Sequence, residues 1–415
     1  MLVSPHSKTV ANEGQMQVPS LMEADGTINS DYMKDFSDWF DKNFGLRSFL
    51  IGTEHRLMTA VFGESSEKKV ILGSDGWLFY AETLDDYQGT NLMTKREIYS
   101  IAGTLELMDE YCKSNGMKFV FVPVPNKNTL YPHKMPAFYP AFSGRTNMDM
   151  VKDELKNTGV DYVDLETAFT KEKVLYRKTD SHWTTEGAGF ASDCILDVLG
   201  REHEKNFGAK THRADGGSGD LYDMLYVYGR DYDKDVVYDK GHNFRYERPI
   251  RSFEDNFINT VCDGKTDRLY MFRDSFGNTL HPFLADEFGH AVFTRVLPFD
   301  LVGAKQDGAD FVILELVERN IERIITEGAV FPAPVRDIDI MSLKKVNAKT
   351  KLLNDGHIDG YVRLDGELDA PPDTYGNIIV VSGGTSYQAT PRGDRSFSAY
   401  IPDTKENKIS IYLTR

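Results

Sequence analysis

Residues 268–277 read Arg268-Leu269-Tyr270-Met271-Phe272-Arg273-Asp274-Ser275-Phe276-Gly277. The first five residues are mostly apolar and predict a short buried strand, and the polar residues and glycine that follow predict a sharp turn into a helix. A serine at such a turn exposes its hydroxyl above the sheet, and the first backbone N–H groups of the helix remain free to hold an oxyanion. Ser275 is therefore a candidate nucleophile.

A second polar segment lies upstream, where residues 179–183 read TDSHW. A serine hydroxyl is a poor nucleophile at neutral pH, so it needs an imidazole to take its proton and an acid to fix the tautomer of that imidazole. His182 and Asp180 are candidates for these two roles, because alternation in an extended segment places their side chains on the same side. The two segments together predict a Ser-His-Asp relay.

Each half of this pattern also has an ordinary structural explanation. Asp-x-His pairs and Asp-Ser dipeptides occur often by chance, and Asp274 or Ser275 could simply cap a helix. The joint appearance of both halves in a chain with an α/β pattern favours the catalytic interpretation.

Helices and short apolar strands alternate along the surrounding chain. From Lys95, apolar residues at three- and four-residue spacing between residues 98 and 112 predict a helix that is stopped by Asn115-Gly116. Thr184 or Thr185 is expected to cap a further helix that ends near Gly200. The strand candidates are residues 118–122, 160–164, 268–272, 290–296 and 311–316. This alternation predicts an α/β fold with a mostly parallel sheet flanked by helices.

The active site of such a sheet lies at the carboxyl ends of its strands. Ser275 and the turn at residues 123–127 are both expected there, so Asn126 and Lys127 are candidate substrate contacts.

The character of the sequence changes over residues 201–265, which predict an insertion lobe near the active site. Tyr222 and Tyr226 in this lobe could stack on sugar rings, although tyrosines in a short-stranded lobe are more often half-buried residues. Arg295 and Arg319 are further candidate substrate contacts, although arginines near core strands commonly form structural ion pairs.

The domain organisation follows from these patterns. Residues 1–30 are polar, lack the order of a signal peptide and predict a flexible segment. Residues 31–331 hold the α/β pattern, which starts with an aromatic helical stripe that includes Tyr32 and Phe44. Residues 335–415 contain short alternating runs between Gly-, Pro- and Asp-rich turns and predict a small β-rich domain, a sandwich that either binds carbohydrate or acts as a spacer.

Composition excludes several classes of function. The chain has 48 Lys and Arg against 64 Asp and Glu, for a net charge of −16, which argues against nucleic acid and anionic lipid as partners. The three cysteines, Cys112, Cys194 and Cys262, form no metal-ligand pattern. No apolar run approaches the roughly 20 residues that a membrane-spanning helix needs. We expect neither a metal nor a cofactor.

Several phrases resemble, in this order, the SGNH-hydrolase-like domain of the alginate O-acetyltransferases AlgJ and AlgX and their relatives, the DHHW proteins. The similar phrases are residues 36–47 (FSDWFDKNFGLR), 73–79 (GSDGWLF), 122–127 (VPVPNK), 180–184 (DSHWT), 274–276 (DSF) and 312–320 (VILELVERN). The resemblance implies Ser275 as nucleophile, His182 as base and Asp180 as the orienting acid. The chain departs from the family at Arg273, where glycine is common, and at Ser181 in the histidine motif, and the first departure puts the geometry of the oxyanion hole in doubt.

The resemblance implies an O-acetyltransferase that acts on an extracytoplasmic polysaccharide through an acetyl-Ser275 intermediate. A carbohydrate acetyl-esterase would use the same residues, and a non-catalytic glycan-binding or assembly protein could keep the same fold. A membrane-bound O-acyltransferase is the expected carrier of the acetyl donor. Because family members usually carry an N-terminal signal or anchor, the resemblance suggests the extracytoplasmic portion of a membrane-anchored protein.

Overall fold

The computed structural model describes residues 18–22, 26–43, 67–170, 173–226, 232–404 and 408–414 of the 415-residue chain. The described α-helices are α1 (Tyr32–Asn43), α2 (Leu84–Gln88), α3 (Lys95–Ser114), α4 (Lys127–Leu130), α5 (Asn147–Leu155), α6 (Leu165–Phe169), α7 (Thr185–Leu199), α8 (Asp220–Leu225), α9 (Gly277–Ala285), α10 (Leu301–Gln306) and α11 (Arg323–Thr326). Within these ranges no helix combines the length and the apolar character needed to cross a membrane.

The β-strands fall into one large and several smaller sheets. They are β1 (Val70–Leu72), β2 (Leu78–Tyr80), β3 (Lys118–Val124), β4 (Thr211–Ser218), β5 (Tyr232–Tyr238), β6 (Arg245–Tyr246), β7 (Phe257–Val261), β8 (Arg268–Phe272), β9 (His290–Thr294), β10 (Phe299–Asp300), β11 (Phe311–Val317), β12 (Ala329–Val330), β13 (Lys344–Val346), β14 (Ala348–Leu353), β15 (Tyr361–Leu368), β16 (Ile378–Ser382), β17 (Thr385–Gln388), β18 (Thr390–Pro391), β19 (Ser396–Pro402) and β20 (Ser410–Leu413).

The central sheet has six strands in the order β3-β11-β8-β9-β7-β6. The first four run parallel to one another, and β7 and β6 add an antiparallel edge, so the mostly parallel sheet is confirmed. The strand expected over residues 160–164 is wrong, since only Tyr162 forms an isolated bridge, with Phe121. The chain leaves the sheet at once because Asp164 caps α6, where it accepts a hydrogen bond from the Thr167 N–H.

Both faces of this sheet are buried, which explains why its strands are almost wholly apolar. Alternate side chains of β3 enter opposite cores: Val120 and Val122 pack with the residues of α7, and Phe119 and Phe121 pack with those of α3. The site described below lies at the carboxyl ends of the parallel strands.

The predicted helix boundaries are confirmed at α3 and α7. The hydroxyl of Thr94 accepts a hydrogen bond from the Glu97 N–H, and the Glu97 side chain accepts one from the Thr94 N–H, which forms a capping box at the start of α3. Thr184 caps α7 through the Gly187 N–H, and Gly200 ends that helix in the left-handed conformation, with a φ of 74°.

The region expected as an insertion lobe is only partly separate from the central sheet. β4 and β5 form a hairpin of their own, whereas β7, within the same range of residues, pairs with β9. The hairpin packs against α7, and some of its residues line the space beside Ser275.

The strands from β13 to β20 form two antiparallel four-stranded sheets around one apolar core. Arg96 of α3 connects this β-rich part to the α/β part, because its guanidinium donates to the carbonyls of Thr374 and Gly376 at 2.9 and 2.7 Å. Arg336 adds a bidentate ion pair with Glu110 of the same helix.

The aromatic stripe near the N-terminus lies on α1, as its spacing predicts. Phe36 packs against Tyr32, Trp39 and Phe40 of the same helix, with ring centroids 5.9, 5.5 and 6.3 Å apart. Phe44 and the rest of the entry segment lie outside the described residues.

Candidate active site

Ser275 lies on the turn between β8 and α9, at the carboxyl end of a central parallel strand. Asp274 holds this turn, because one of its carboxylate oxygens accepts a hydrogen bond of 2.9 Å from the Phe276 N–H and the other accepts one of 2.8 Å from the Val317 N–H. Neither Asp274 nor Ser275 is the N-cap residue of α9, because Phe276 occupies that position and no side chain caps the helix. The capping explanation for the Asp-Ser pair is therefore wrong.

The structure brings together the three residues of the expected relay. The Nε2 atom of His182 lies 2.8 Å from the Oγ atom of Ser275, and its Nδ1 atom lies 2.8 Å from the Oδ1 atom of Asp180. The imidazole rests on the ring of Phe276, with centroids 4.8 Å apart, and 23% of the His182 side chain is exposed. This geometry allows the imidazole to remove the serine proton while the carboxylate fixes its tautomer.

The charges around His182 favour its protonated form. Burial lowers the pKa of His182, but the hydrogen bond and negative charge of Asp180 outweigh burial and raise that pKa above its usual value. Burial raises the pKa of Asp180, but the bond to His182 and the charge of Arg177 bring it well below its usual range. The Nη1 atom of Arg177 lies 2.8 Å from the Oδ2 atom of Asp180.

Asp220 is a site residue that the sequence interpretation missed. Its Oδ1 atom accepts a hydrogen bond of 2.7 Å from the Ser181 N–H, and its Oδ2 atom accepts one of 2.5 Å from the Ser181 hydroxyl. The Oδ2 atom also lies 3.6 Å from the Nδ1 atom of His182. The available signal was the Gly219-Asp220 pair, which immediately precedes and begins α8.

Arg273, which departs from the family pattern, supports the turn from its buried side. Its guanidinium donates to the Phe253 carbonyl at 2.7 Å and to the Asn278 side chain at 2.5 Å. Gly277 is required there, because a Cβ atom at this position would lie 2.6 Å from the Cδ atom of Arg273.

Lys127 and Asn126 line neither of the two spaces beside the relay, so the expectation that they contact the substrate is corrected. The Nζ atom of Lys127 donates to the carbonyls of Leu78, Lys178 and Asp180 at 2.6, 2.7 and 2.9 Å. Asn126 is 1% exposed. Both residues follow β3 as expected, but Lys127 lies under the segment that carries Asp180 and anchors it.

One side of the relay opens into a pocket of about 320 Å³, which we call the arginine pocket. Ser275 and His182 line it together with Arg295, Arg319 and Arg323. Its other polar lining residues include Asn320 and three acidic residues, Glu82, Asp220 and Asp274. Arg295 forms an ion pair with Glu254, and Arg319 lies over the ring of Tyr80 at 5.5 Å. Among the described residues, no carboxylate lies within ion-pair distance of Arg319 or Arg323.

The other side of the relay opens into a larger space of about 570 Å³, which we call the apolar groove. Ser275, His182 and Asp180 line one part of it, and the rest is lined by the β4–β5 hairpin, α9 and the side chains of Phe244 and Phe253. Tyr222 and Tyr226 line neither space. They pack together 4.7 Å apart in a cluster with Leu78 and Leu221, so the prediction that they stack on sugar rings is not supported by their position.

Asp180, His182 and Asp220 are close enough together to hold a metal ion, and no other such group occurs in the described part of the chain. Both ring nitrogens of His182 already have partners, Asp180 and Ser275, so the relay uses the atoms that a metal would need. The expectation that the chain works without a metal stays a prediction.

Comparison with known proteins agrees with this architecture. The family model for the SGNH hydrolase-like domain of acetyltransferase AlgX matches residues 70–231. The probable alginate O-acetylase AlgJ of Pseudomonas putida is 23% identical over 164 residues, which are 38% of this chain and 42% of that protein. The matched region therefore spans less than half the length of this relative.

Two solved structures align with this chain at low sequence identity. Bacillus cereus PatB1 with a sulfonyl adduct aligns with a TM-score of 0.50 and 16% identity, over 60% of this chain and 95% of that one. AlgX of Pseudomonas aeruginosa aligns over 83% of this chain and 90% of its own, with a TM-score of 0.42 and 14% identity. Residues 70–231 thus match the SGNH hydrolase-like domain of acetyltransferase AlgX, and this chain is similar in sequence to AlgJ.

Proposed function

We propose that this chain is an O-acetyltransferase that moves acetyl groups onto hydroxyls of a polysaccharide through an acetyl-Ser275 intermediate. The observation that carries the proposal is the continuous chain of contacts from Asp180 through His182 to Ser275, with both distances at 2.8 Å. The similarity to acetyltransferase AlgX and to the alginate O-acetylase AlgJ supports acetyl as the transferred group.

In the first half-reaction, the Oγ atom of Ser275 attacks the carbonyl carbon of an acetyl donor while its proton passes to the Nε2 atom of His182. The bond between that carbon and the leaving atom of the donor then breaks, and His182 returns the proton to the leaving group. Asp180 stabilises the imidazolium that exists between these two transfers. The arrangement supplies every proton acceptor and donor that this step needs.

In the second half-reaction, a sugar hydroxyl takes the place of the leaving group. His182 removes its proton, the hydroxyl oxygen attacks the acetyl carbon, and Ser275 recovers its proton when its own bond to that carbon breaks. Arg319 and Arg323 provide cationic groups for a hydrophilic acceptor in the arginine pocket. Water in the same position would give an acetyl-esterase, so the choice of acceptor separates the two activities.

We place the reaction outside the cytoplasm and propose a membrane-bound O-acyltransferase as the carrier of the acetyl donor. The resemblance to enzymes that modify exported polysaccharides supports both assignments. Fractionation of cells that express the full-length protein tests the location, and recovery in the cytoplasm alone would contradict it.

The chemical proposal is tested by incubation with an activated acetyl ester, followed by digestion and mass spectrometry of the peptides. We expect an acetyl group on the peptide that contains Ser275, and its loss in the Ser275→Ala variant. A folded protein that gains no acetyl group, and that a serine-reactive phosphonate does not label, would be a non-catalytic glycan-binding protein instead.

A further inference from the structure

The apolar groove is larger than an acetyl group requires. Its volume of about 570 Å³ falls in the range of pockets that hold whole small-molecule ligands, roughly 300–1,000 Å³. An acetyl group on Ser275 would fill only the part of this space next to the relay. The remaining volume has room for a larger part of a substrate.

The walls of the groove are apolar. Val236 and Val237 come from the hairpin, Phe244 and Phe253 from the chain that follows it, and Phe283 from α9. Val237 and Phe253 are 47% and 48% exposed, and they line the same space as Ser275. Apolar surface left open beside a reactive serine is a site for apolar groups of a substrate.

Most polar side chains of the groove already have partners in the protein, and the Tyr238 hydroxyl and the Trp183 indole N–H, which have none among the described residues, are buried. His242 contacts Asp286 at 2.7 Å, and Asp235 accepts a hydrogen bond of 2.9 Å from the Thr185 N–H. The Lys240 ammonium lies 2.7 Å from Glu204. Two further groups are engaged in the same way: Tyr246 with His281 and Asn278 with Arg273.

These contacts distinguish between two kinds of occupant. A sugar carries many hydroxyls, and each would lose its hydrogen bonds to water on entering the groove. Because the groove offers few replacement partners, this loss would cost binding free energy. An alkyl chain has no such requirement and gains from leaving water. The arginine pocket, with the unpaired cations Arg319 and Arg323 among its described residues, suits the hydrophilic reactant instead.

We propose that the apolar groove binds the acyl chain of the donor, so that Ser275 accepts acyl groups several carbons longer than acetyl. This inference rests on the proposed acyl-Ser275 intermediate. In the step, the Oγ atom of Ser275 forms a bond to the acyl carbon of an ester, the bond from that carbon to the alcohol oxygen breaks, and His182 passes the serine proton to the departing alcohol. The alkyl chain stays in the groove while the acceptor enters from the arginine pocket.

The test compares kcat/KM for the p-nitrophenyl esters of acetate, butyrate, hexanoate and octanoate, below the concentrations at which the esters aggregate. Full burial of one methylene group contributes about 0.8 kcal/mol, which corresponds to about a fourfold gain in kcat/KM. An open groove buries each methylene about half as well, so we expect kcat/KM to rise by about twofold per methylene up to hexanoate. If hexanoate is slower than acetate while acetate still labels Ser275, the groove does not hold the acyl chain and the proposed function stands. If no ester labels Ser275, the proposed function itself has failed.

Two variants locate the effect. Val237→Asp and Phe253→Ala change two exposed positions of the groove, and each should lower the ratio of hexanoate to acetate turnover by about fivefold or more. Val335→Asp is the control for Val237→Asp, because it makes the same substitution at a valine that is 62% exposed and lies outside the groove. This variant should retain the wild-type ratio of hexanoate to acetate turnover. Thermal melting confirms that each variant is folded.

A final arm separates the two parts of the ester. Acetyl esters of alcohols with increasing alkyl length should show no comparable gain. A gain confined to the alcohol part, or wild-type ratios in both groove variants, would overturn the assignment of the groove to the acyl chain.

Discussion

The Oδ2 atom of Asp220 lies 3.6 Å from the Nδ1 atom of His182, the same nitrogen that Asp180 contacts at 2.8 Å. Two carboxylates therefore face one side of the imidazole that has to carry the proton. Burial raises the pKa of the Asp220 carboxyl, and the negative charge of Asp180 raises it further. Asp180 is thus the carboxylate that stays ionised, and Asp220 is a second, weaker charge that stabilises the imidazolium.

The pH profile should report this second carboxylate. His182 acts as a base only when it is neutral, so kcat/KM should fall when the imidazole becomes protonated at low pH. Because the pKa of His182 is raised, the midpoint of this acid limb should lie above the usual histidine value of about 6.5. Asp220→Asn removes a negative charge that favours the protonated imidazole, so the pKa of His182 should fall and this acid limb should move to lower pH. A charge at 4 Å contributes about 1 kcal/mol in a water-like environment, which is somewhat less than one pH unit.

The Asp220→Asn experiment has a clear contrary outcome. Asp223→Asn changes an aspartate on the same helix α8 whose carboxylate accepts a hydrogen bond from Ser218 instead, and its profile should match the wild type. An acid limb that stays in place in Asp220→Asn would show that this carboxylate only holds the Ser181 backbone.

The relay should behave as one unit in kinetics. We expect roughly a 10³- to 10⁶-fold loss of acetyl-ester turnover in each of the single variants Ser275→Ala, His182→Ala and Asp180→Ala. A double variant should lose little more turnover than a single one, because each substitution disables the same step. Ser342→Ala, at an exposed serine far along the chain, is the matched control. Near-wild-type turnover by folded Ser275→Ala would refute the relay.

The relay could be predicted from sequence because each half is local. Asp180 and His182 are two residues apart, and Ser275 follows a run of residues that is apolar enough to mark a strand and its carboxyl end. The parallel sheet then brings both halves to one edge, as the order of helices and strands implies.

Lys127 illustrates what the sequence could not supply. Its position after β3 was predictable, but the direction of its side chain depends on Trp77 and Phe79, whose rings lie 5.0 and 5.3 Å from its Nζ atom, and on three carbonyls from distant segments. Asp220 was missed for the same reason, because its partner Ser181 is 39 residues away. Contacts between loops leave no periodic signal in the sequence.

Substitution of Lys127 should therefore lower the stability of the fold rather than act directly on substrate binding. Burial lowers the pKa of Lys127 to about 7, and its ammonium still satisfies the carbonyls of Leu78, Lys178 and Asp180. Lys127→Met leaves these carbonyls without that donor, so the free energy of unfolding should fall by about 3 kcal/mol. Urea denaturation measures this loss, and acyl-enzyme formation should slow because Asp180 is no longer anchored.

Lys173→Met provides the comparison for Lys127. The Nζ atom of Lys173 lies 2.8 Å from Glu186 on the surface, with 62% of its side chain exposed, and loss of such a pair costs less than about 1 kcal/mol. Equal stability of Lys127→Met and Lys173→Met would contradict an anchoring role.

Transfer should outcompete hydrolysis when a suitable glycan is present. Water is available to the acyl-serine at about 55 M, so a millimolar acceptor needs an advantage of more than ~10⁴ from binding and orientation, which a positioned site can supply. Glycan fragments should gain acetyl groups from a small activated donor over time, and this gain should vanish in Ser275→Ala. If acetate accumulates while several acidic and neutral fragments remain unmodified, the chain is an esterase.

The arginine pocket should decide which glycans are acetylated. Arg323 is exposed, and among the described residues no carboxylate pairs with it, so its charge is available to a carboxylate on the acceptor. Arg323→Gln should lower kcat/KM for transfer to a carboxylate-bearing fragment by up to about fivefold, the range of an exposed ion pair, and should affect a neutral fragment less. Arg248→Gln, at an exposed arginine outside the pocket, controls for the change in net charge. An equal effect of Arg323→Gln on acidic and neutral fragments would mean that the pocket positions sugar hydroxyls and does not select by charge.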